Sequence, residues 1–398
     1  MASETFETAW SKLPIDLQEQ FYERAEREAR RLVTVIQEFR SKVELAREKL
    51  EPYVHRLKFK SYGEFSIAAV DGSFSPKPAE TIGARFSVYS AGFVMVKGRE
   101  IVKEGYFSGD VRHDQAYSRE FSSSALHVQE SYLERKAALE ALKEDPDLLL
   151  LDGSFLGFAY SLFRVRRVIP VPQWIIDIAR ETLDMTEKLL DSGKCAGVVK
   201  RGRSRAIGGW ISVEEGEKSP LTGCLDKQIL HYLMKPPAIL NYGELLKGPG
   251  LQRIYSRVSE LLNRRELSPR EALDEAREWA VESLTKALDV TDEIAQRLES
   301  RVNRIQIKVT DENPPFELEL PVESEGKALE VLFSSVDNFN MATGLPLVVD
   351  LIDESVTLPA EFTREFVREV EARVVDSYHG DPEEVRGFFT GMNPQKEL

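Results

Sequence analysis

The chain has 398 residues, of which 42% are hydrophobic and 30% are charged, and its formal net charge is -14. This composition is typical of a folded globular protein, and no apolar run approaches the roughly 20 residues of a membrane span. The acidic balance excludes a protein that is basic over its whole surface, so any contact with DNA must be local. The length exceeds that of one usual domain and favours a core with an added helical module.

The N-terminal sequence MASETFETAWSKL has no basic start, apolar run or small-residue cleavage site, so we expect a cytoplasmic protein. Cys195 and Cys224 are too few and too far apart for a disulfide framework or a thiolate zinc site, and we expect both to be reduced. The five histidines show no metal-ligand spacing, which disfavours a zinc hydrolase.

The first predicted element is a long amphipathic helix over residues 17–57, where apolar residues recur at helical spacing between Glu and Arg pairs, and Pro52 is a candidate position for a break. The apolar run FSIAAVDGS then predicts a buried strand. Two further strands flank Lys97-Gly98-Arg99, which is typical of a hairpin turn. The sequence therefore predicts three strands in succession.

A helix over 118–143 precedes a second fully apolar strand, LLLLDGS. A helix over 172–190, the strand CAGVVKRG and a helix over 221–234 follow. Hairpin strands followed by alternating helices and apolar strands predict a mixed sheet whose later strands are parallel. This is the element order of the ribonuclease H-like fold.

A second helical block lies between about residues 255 and 303, where Ser268-Pro269 is a helix-start signal. The segments RIQIKVTD, FELELP and LPLVVDLIDESVTL are predicted as strands, and EFTREFVREVEARVV as a last helix. We therefore expect an α/β protein with a ribonuclease H-like mixed-sheet core over 61–245 and 304–390. A long helical N-terminal segment over 1–60 and a helical insertion over 246–303 complete the predicted organisation.

Two Asp-Gly-Ser turns are the main chemical signal, because Asp71 and Asp152 each follow an apolar strand. Parallel strands place such residues in the crevice at their carboxyl ends, where two carboxylates would repel each other unless a cation bound between them. Mn²⁺ or Mg²⁺ fits oxygen ligands, and phosphodiester hydrolysis can use two such ions. Either turn alone would be ordinary loop chemistry.

A third carboxylate is expected from the helix before the second of these strands, and Glu134 in YLERKAALEAL is the preferred candidate. Glu130 and Glu140 on the same helix are its competitors. The alternative is that Glu134 is a solvated helix residue paired with a nearby Arg or Lys.

Basic residues gather where the strand CAGVVKRG ends. Lys200 is a candidate for offsetting charge on a scissile phosphate, and we predict that Arg201, Arg203 and Arg205 bind DNA beside it. Arg164 lies beyond the second Asp-Gly-Ser turn and is a further candidate for the DNA backbone. Exposed, solvated loops are the alternative interpretation of both basic regions.

The chain resembles the NurA family of archaeal and bacterial nucleases in IAAVDGSF, YLERKAALEAL, LLLLDGSF, GVVKRGRSR, LTGCLDKQIL and TGLPLVVDLIDES. The resemblance implies Mn²⁺-dependent cleavage of single-stranded DNA and of duplex ends in the 5′ to 3′ direction. It also implies a ring-like homodimer that acts with the HerA hexameric translocase in end resection during double-strand-break repair. By this resemblance Asp71, Glu134 and Asp152 match the metal-binding carboxylates, and Lys200 matches the basic residue near the scissile phosphate.

The C-terminal motif departs from the family pattern. Relatives usually carry Gly-Tyr-Pro and then Ala-His, whereas this chain has Gly344-Leu345-Pro346 and then Ile352-Asp353. Asp353 could replace the histidine as a metal ligand, because carboxylate and imidazole both bind Mn²⁺, and Asp350 and Glu354 are nearby alternatives.

Two other functions compete with the nuclease. An actin-like or sugar-kinase-like ATPase also places Asp-Gly-Ser turns on phosphate, but this chain lacks a second copy of the core and a Gly-rich adenosine segment. A non-catalytic adaptor that closes a ring on a DNA translocase is favoured by the departures at Leu345 and Asp353. We expect no membrane partner for this chain.

Overall fold

The computed structural model describes residues 9–60, 64–113, 119–166 and 170–392. The chain divides into two compact units, Met1–Pro52 and Tyr53–Leu398. No helix in the described ranges is long and apolar enough to cross a membrane.

The first unit consists mainly of helix α1 (Ile15–Leu50), which follows a short 3-10 turn at Ala9–Lys12. In that turn, the Trp10 ring stacks on Tyr22 with their centroids 5.0 Å apart. The predicted helix over 17–57 ends seven residues earlier, at Leu50, close to the candidate break at Pro52. Proline has no backbone N–H and its ring clashes with the preceding turn, so a proline ends a helix readily.

The second unit is built on a mixed sheet. Its strands are β1 (Val54–Arg56), β2 (Ser66–Phe74), β3 (Ala79–Glu80), β4 (Arg85–Lys97), β5 (Glu100–His113), β6 (Leu148–Asp152), β7 (Cys195–Val199), β8 (Ala238–Asn241), β9 (Val302–Lys308), β10 (Phe316–Pro321), β11 (Phe339–Asn340) and β12 (Leu345–Pro346). In the described part of the chain ten strands form one sheet in the order β1-β8-β9-β10-β7-β6-β2-β4-β3, with β5 paired to β4. The pairs β2–β6 and β6–β7 are parallel, as the sequence predicts for the later strands.

Helices cover both faces of this sheet. They are α2 (Arg119–Lys143), α3 (Gly157–Arg166), α4 (Gln173–Asp191), α5 (Ala206–Glu215), α6 (Asp226–Leu233), α7 (Tyr242–Leu245), α8 (Leu251–Arg264), α9 (Pro269–Leu288), α10 (Asp292–Ser300), α11 (Glu325–Leu332), α12 (Leu347–Val356), α13 (Phe362–Ser377) and α14 (Pro382–Phe389). Of these, the sequence analysis does not predict α3, α5, α7, α11 and α14, and it predicts a strand where α12 lies.

The central strands contribute to two hydrophobic cores at once. Ala68 and Leu149 belong to the core under α2, α3 and α4, whereas Ala69 and Leu150 belong to the core under α11 and α12. Successive side chains of a strand point to opposite faces of the sheet, so a strand covered on both faces must be apolar throughout. The four consecutive leucines of β6 meet this requirement.

The predicted hairpin at Lys97-Gly98-Arg99 is confirmed, because β4 and β5 pair around it and Gly98 has a φ of 60°. The capping signal at Ser268 is also confirmed. Its side chain accepts from the backbone N–H of Glu271, whose carboxylate reaches back in turn. Helices α8, α9 and α10 lie within residues 246–303, and the proposed division of the chain at residues 60, 245 and 303 stays a prediction.

One predicted strand is wrong. Most of LPLVVDLIDESVTL forms helix α12, and only Leu345–Pro346 pairs as a strand, with Phe339–Asn340. The buried residues Val348, Ile352 and Val356 recur every four positions, which matches one face of a helix. A short apolar run fits a buried strand and a buried helix equally well, and this explains the error.

We predict that Gly209→Ala lowers the free energy of unfolding by about 1 to 3 kcal/mol. A Cβ atom there would lie 2.0 Å from the backbone oxygen of Tyr255 on α8, so the two helices would have to separate. Gly387→Ala is the matched control, because a Cβ at this helical glycine meets nothing within 4 Å. The control should be neutral or stabilising by up to about 1 kcal/mol in urea denaturation. Equal effects of the two substitutions would contradict this account of helix packing.

Candidate metal centre

Asp71 and Asp152 lie side by side because their strands are parallel neighbours in register. Val70 of β2 pairs with Leu151 of β6, so the next residue in each strand is an aspartate at the same level of the sheet. The sequence-based expectation that these strands bring the two residues together is met.

Asp353 completes the carboxylate cluster, the name used below for Asp71, Asp152 and Asp353. One carboxylate oxygen from each residue lies within 4.8 Å of the other two. Asp353 comes from α12, whose buried residue Ile352 packs into the core beneath the sheet, while the aspartate side chain stays 57% exposed. The sequence singled out this residue, although on a strand rather than a helix.

Glu134 approaches the carboxylate cluster from α2, where the absence of a side chain at Gly72 makes room for it. A Cβ atom on Gly72 would lie 2.8 Å from Glu134 Oε1 and 2.9 Å from Glu130 Cγ. The competitor Glu130 is also buried, and it lies 3.2 Å from His127 Nδ1. Glu140 instead forms an exposed ion pair with Lys143.

Burial and mutual repulsion disfavour the charged forms of these carboxyl groups. Burial, together with Asp152 and Glu134, raises the pKa of Asp71 to about 10. Burial raises the pKa of Glu134 to about 8, against the opposing effect of Arg135. Burial likewise raises the pKa of Asp152, although Lys200 opposes it. Carboxyl groups of this kind stay protonated near neutral pH unless a cation takes the place of the proton.

Lys200 bridges two members of the carboxylate cluster. Its Nζ lies 2.8 Å from Asp152 Oδ2 and 3.3 Å from Asp353 Oδ2. Burial alone would lower the pKa of Lys200, but the neighbouring carboxylates outweigh burial and raise this pKa. The lysine is therefore a fixed positive charge beside the carboxylates.

Arg135 organises the site, and sequence reasoning missed it. Its buried guanidinium donates to Glu134 Oε2 at 3.3 Å and to the carbonyl oxygens of Ser154 and Phe155 at 3.2 and 3.3 Å. The backbone N–H of Phe155 donates to Glu319 Oε2 at 2.9 Å. The turn after Asp152 is thus held from both sides. The sequence signals only an arginine next to Glu134, and nothing in its helical spacing marks it as buried.

A buried aspartate holds the basic loop after β7 in place. Asp226 accepts hydrogen bonds from Ser204 Oγ, from the backbone N–H groups of Ala206 and Ile207 at 2.9 Å, and from Tyr242 Oη at 2.7 Å. Its neighbour Lys227 donates from Nζ to the carbonyl oxygen of Lys200 at 2.8 Å. The position of the bridging lysine therefore depends on residues that are distant in sequence.

The four predicted DNA-binding arginines have different surroundings. Arg201 and Arg203 are exposed on the loop after β7, and Arg164 is exposed on α3. Arg205 is half-buried, and its Nε donates to the carbonyl oxygen of Gly223 at 3.1 Å. Arg205 is thus engaged within the protein, whereas the other three are accessible to a ligand.

The donor set fits a divalent cation. Carboxylate oxygens are the ligands that Mn²⁺ and Mg²⁺ prefer, and the oxygens of the carboxylate cluster are close enough to share one ion. Within the described part of the site, Lys200 and Arg135 offset only part of the charge that the carboxylates would carry when ionised. Burial, together with this shortfall, raises the pKa values of Asp71 and Glu134.

The family follows from the extent of the match to a known domain. The NurA domain matches residues 65–358, a stretch that contains every carboxylate of the site and Lys200. The chain belongs to the NurA family. The resemblance seen in the sequence motifs is confirmed, and no protein sequence with curated function matches this NurA chain.

A solved NurA structure shows the same fold, and other solved structures are similar to a smaller degree. The NurA nuclease from Sulfolobus solfataricus superposes with a TM-score of 0.56 at 12% sequence identity, over 91% of this chain and 99% of that chain. A structure of NurA with manganese gives a TM-score of 0.49 at 12% identity, over 89% and 99% of the two chains. Endonuclease V from Bacillus subtilis gives 0.34 at 12% identity, over 82% and 92%. The first of these likenesses confirms the predicted α/β, ribonuclease H-like fold class.

We predict that Asp71→Asn changes how stability depends on pH and on Mn²⁺. Because folding raises the pKa of Asp71 from 3.8 to about 10, the folded metal-free chain holds a proton that the unfolded chain releases. The free energy of unfolding therefore falls as pH rises between these values. The variant should lose this part of the fall, be more stable than the wild type at about pH 8 in EDTA, and show no rise in Tm with Mn²⁺.

The measurements are urea denaturation in EDTA over a pH series and thermal melts with added MnCl2. Asp145→Asn is the control, because this exposed aspartate pairs with Lys194 outside the carboxylate cluster. The control should behave like the wild type in both experiments. An Asp71→Asn variant that keeps the wild-type response to Mn²⁺ would exclude Asp71 as a ligand.

Proposed function

We propose that this NurA chain is a divalent-metal-dependent DNA nuclease. The observation that carries the proposal is the carboxylate cluster bridged by Lys200 at the carboxyl ends of two parallel strands. An acidic cluster and a fixed ammonium group next to each other are suited to a cation and a phosphate at the same time. Family membership adds independent support.

In this proposal Asp71, Glu134, Asp152 and Asp353 hold Mn²⁺ or Mg²⁺, with two ions as the expected number. The bound cation would supply Lewis acidity for the attack of water on phosphorus and would offset the charge that develops there. Glu134 and Asp71 would exchange their protons for the metal, which makes metal binding weaker at low pH.

Lys200 would contact the scissile phosphate. It already lies between Asp152 and Asp353, so a phosphate held at the carboxylates comes within reach of its ammonium group. Arg135 acts as a positioning residue, because it fixes Glu134 and the turn after Asp152 rather than facing the substrate.

Exposed cations would guide the DNA backbone in this acidic chain. Arg201 and Arg203 follow Lys200 directly, and Arg164 lies on the helix after the Asp152 turn. Each phosphate contact adds to the salt dependence of binding, so the affinity for DNA should fall steeply with ionic strength. Arg205 contributes to this surface through the loop that it holds.

Family membership supports a proposal for the biological setting. We propose single-strand endonuclease and 5′ to 3′ exonuclease activity, a homodimer, and joint action with a HerA-type translocase in end resection during double-strand-break repair. Such work on chromosomal DNA would take place in the cytoplasm. The adaptor alternative predicts a protein that binds the translocase but cleaves no DNA with either metal, and the ATPase alternative predicts binding of ATP.

We predict that Asp353→Asn lowers Mn²⁺-dependent degradation of end-labelled single-stranded DNA by more than the roughly 10- to 100-fold that loss of an outer-shell partner costs. The substitution removes the charge of one proposed metal ligand and one of the two ion pairs of Lys200, the pair with Asp353. Glu354→Gln is the matched control, because it removes the adjacent exposed carboxylate of the same helix, which is not part of the carboxylate cluster, and should leave the rate unchanged.

Circular dichroism and gel filtration would verify that both variants remain folded. Equal rates for the two variants would exclude Asp353 from the active site. A wild-type protein that is inactive on every DNA substrate with Mn²⁺ or Mg²⁺ would refute the nuclease proposal and favour the adaptor.

A further inference from the structure

A row of three residues connects the carboxylate cluster to the outer strand of the sheet. Asp71 of β2 pairs with Gly92 of β4, and Gly92 pairs with Tyr106 of β5. Directly opposed residues in antiparallel strands point to the same face, so the Asp71 and Tyr106 side chains share one face. Their backbones are two strand spacings apart, about 10 Å.

The glycine in the middle of this row leaves room for the aromatic ring. A Cβ atom on Gly92 would lie 2.7 Å from Tyr106 Cδ1 and 3.1 Å from Val356 Cγ1. The Tyr106 ring therefore occupies the space over Gly92 that a side chain at position 92 would fill. Tyr106 remains 51% exposed, and its hydroxyl donates to Glu104 Oε2 at 3.2 Å.

Beside this ring lies an open groove of about 320 Å³, here called the stacking groove. Its walls are β4, β5 and the C-terminal end of α12, and its lining includes Tyr106, Ser90, Ser108, Ser355 and Thr357. Helix α12 links the groove to the metal centre, because Asp353 joins the carboxylate cluster one half-turn before Ser355.

The wall formed by α12 is fixed to the sheet. Ser90 Oγ donates to the carbonyl oxygen of Val356 at 2.8 Å, and the N–H of Leu358 donates to Ser73 Oγ at 3.3 Å. Both serines lie in the row next to Asp71, Gly92 and Tyr106. The stacking groove is therefore a preformed feature that keeps its place relative to Asp71.

We propose that the stacking groove binds a nucleobase of the DNA strand whose phosphate lies at the carboxylate cluster, with the base stacked on Tyr106. The inference rests on the proposed nuclease function. A base fits this groove better than a phosphate does, because Glu104 beside the ring would repel an anion and the described lining residues include no Lys or Arg to attract one. Every base has an aromatic face, so the subsite accepts any sequence and requires an unpaired nucleotide.

The subsite lies one or two nucleotides of an extended strand from the cleaved phosphate. A base paired within a duplex could not reach the ring, so the stacking groove favours single-stranded DNA or frayed ends. At its edge lie the hydroxyl of Ser108, which can donate or accept, and Thr357 Oγ1, which donates to the carbonyl oxygen of Asp353 at 2.6 Å and can still accept from a base.

The test combines three variants with a series of single-stranded oligonucleotides, each carrying one abasic nucleotide at a different position near a defined cleavage site. Tyr106→Ala should raise KM for intact DNA by about 5- to 150-fold, the range for loss of one stacked base, with a smaller change in kcat. Tyr106→Phe should keep the wild-type KM. Tyr232→Ala is the control, because this tyrosine on α6 is similarly exposed and should have no effect.

For the wild type, one abasic position should raise KM by a similar factor, and Tyr106→Ala should be insensitive to that same position. This loss of sensitivity distinguishes stacking from a general weakening of the fold. Two results would overturn the stacking proposal and leave the nuclease proposal standing, provided that the wild type cleaves DNA. In the first, Tyr106→Ala has the wild-type KM; in the second, its KM is still raised by the abasic position that raises the KM of the wild type. A wild type that cleaves no DNA overturns both.

Discussion

Repulsion among carboxylates that are held close together and away from water is the constraint on which the rest of this site depends. Parallel strands force Asp71 and Asp152 together, and α2 and α12 add Glu134 and Asp353. Ionised groups so arranged are costly unless positive charge is supplied. Lys200 supplies part of it directly, and the remaining demand makes the site selective for a cation in a chain whose net charge is -14.

Buried polar groups around the centre hold the carboxylates in position against this repulsion. Arg135 joins α2 to the turn after β6, and Glu319 of β10 reaches the same turn from the opposite side while pairing with Arg304 at 2.6 Å. Buried ion pairs of this kind add little net stability, because desolvation offsets their attraction. Their contribution here is geometric, since they determine where the turn after Asp152 lies.

The sequence predicted the parts of the fold and site that depend on local signals. Asp71 and Asp152 could be found because turn residues mark the ends of apolar strands, and their proximity followed from strand order. Asp353 was identified as a candidate ligand, although its segment was predicted as a strand. That error arose because a short apolar run does not distinguish the period of a strand from that of a helix. Arg135 and Tyr106 could not be recognised, because the role of each depends on tertiary burial or strand register, which helical spacing and composition do not encode.

Gly72 has a consequence for how relatives of this chain are judged. The space left by its missing side chain admits Glu134, and a single methyl group there would lie 2.8 Å from Oε1 of that glutamate. A relative could therefore keep all four carboxylates and still lose the geometry of the metal centre, through a Gly→Ala substitution at a position that has no metal-binding side chain. An inventory of acidic residues alone would count such a relative as intact, so the glycine belongs in any sequence criterion for a working site.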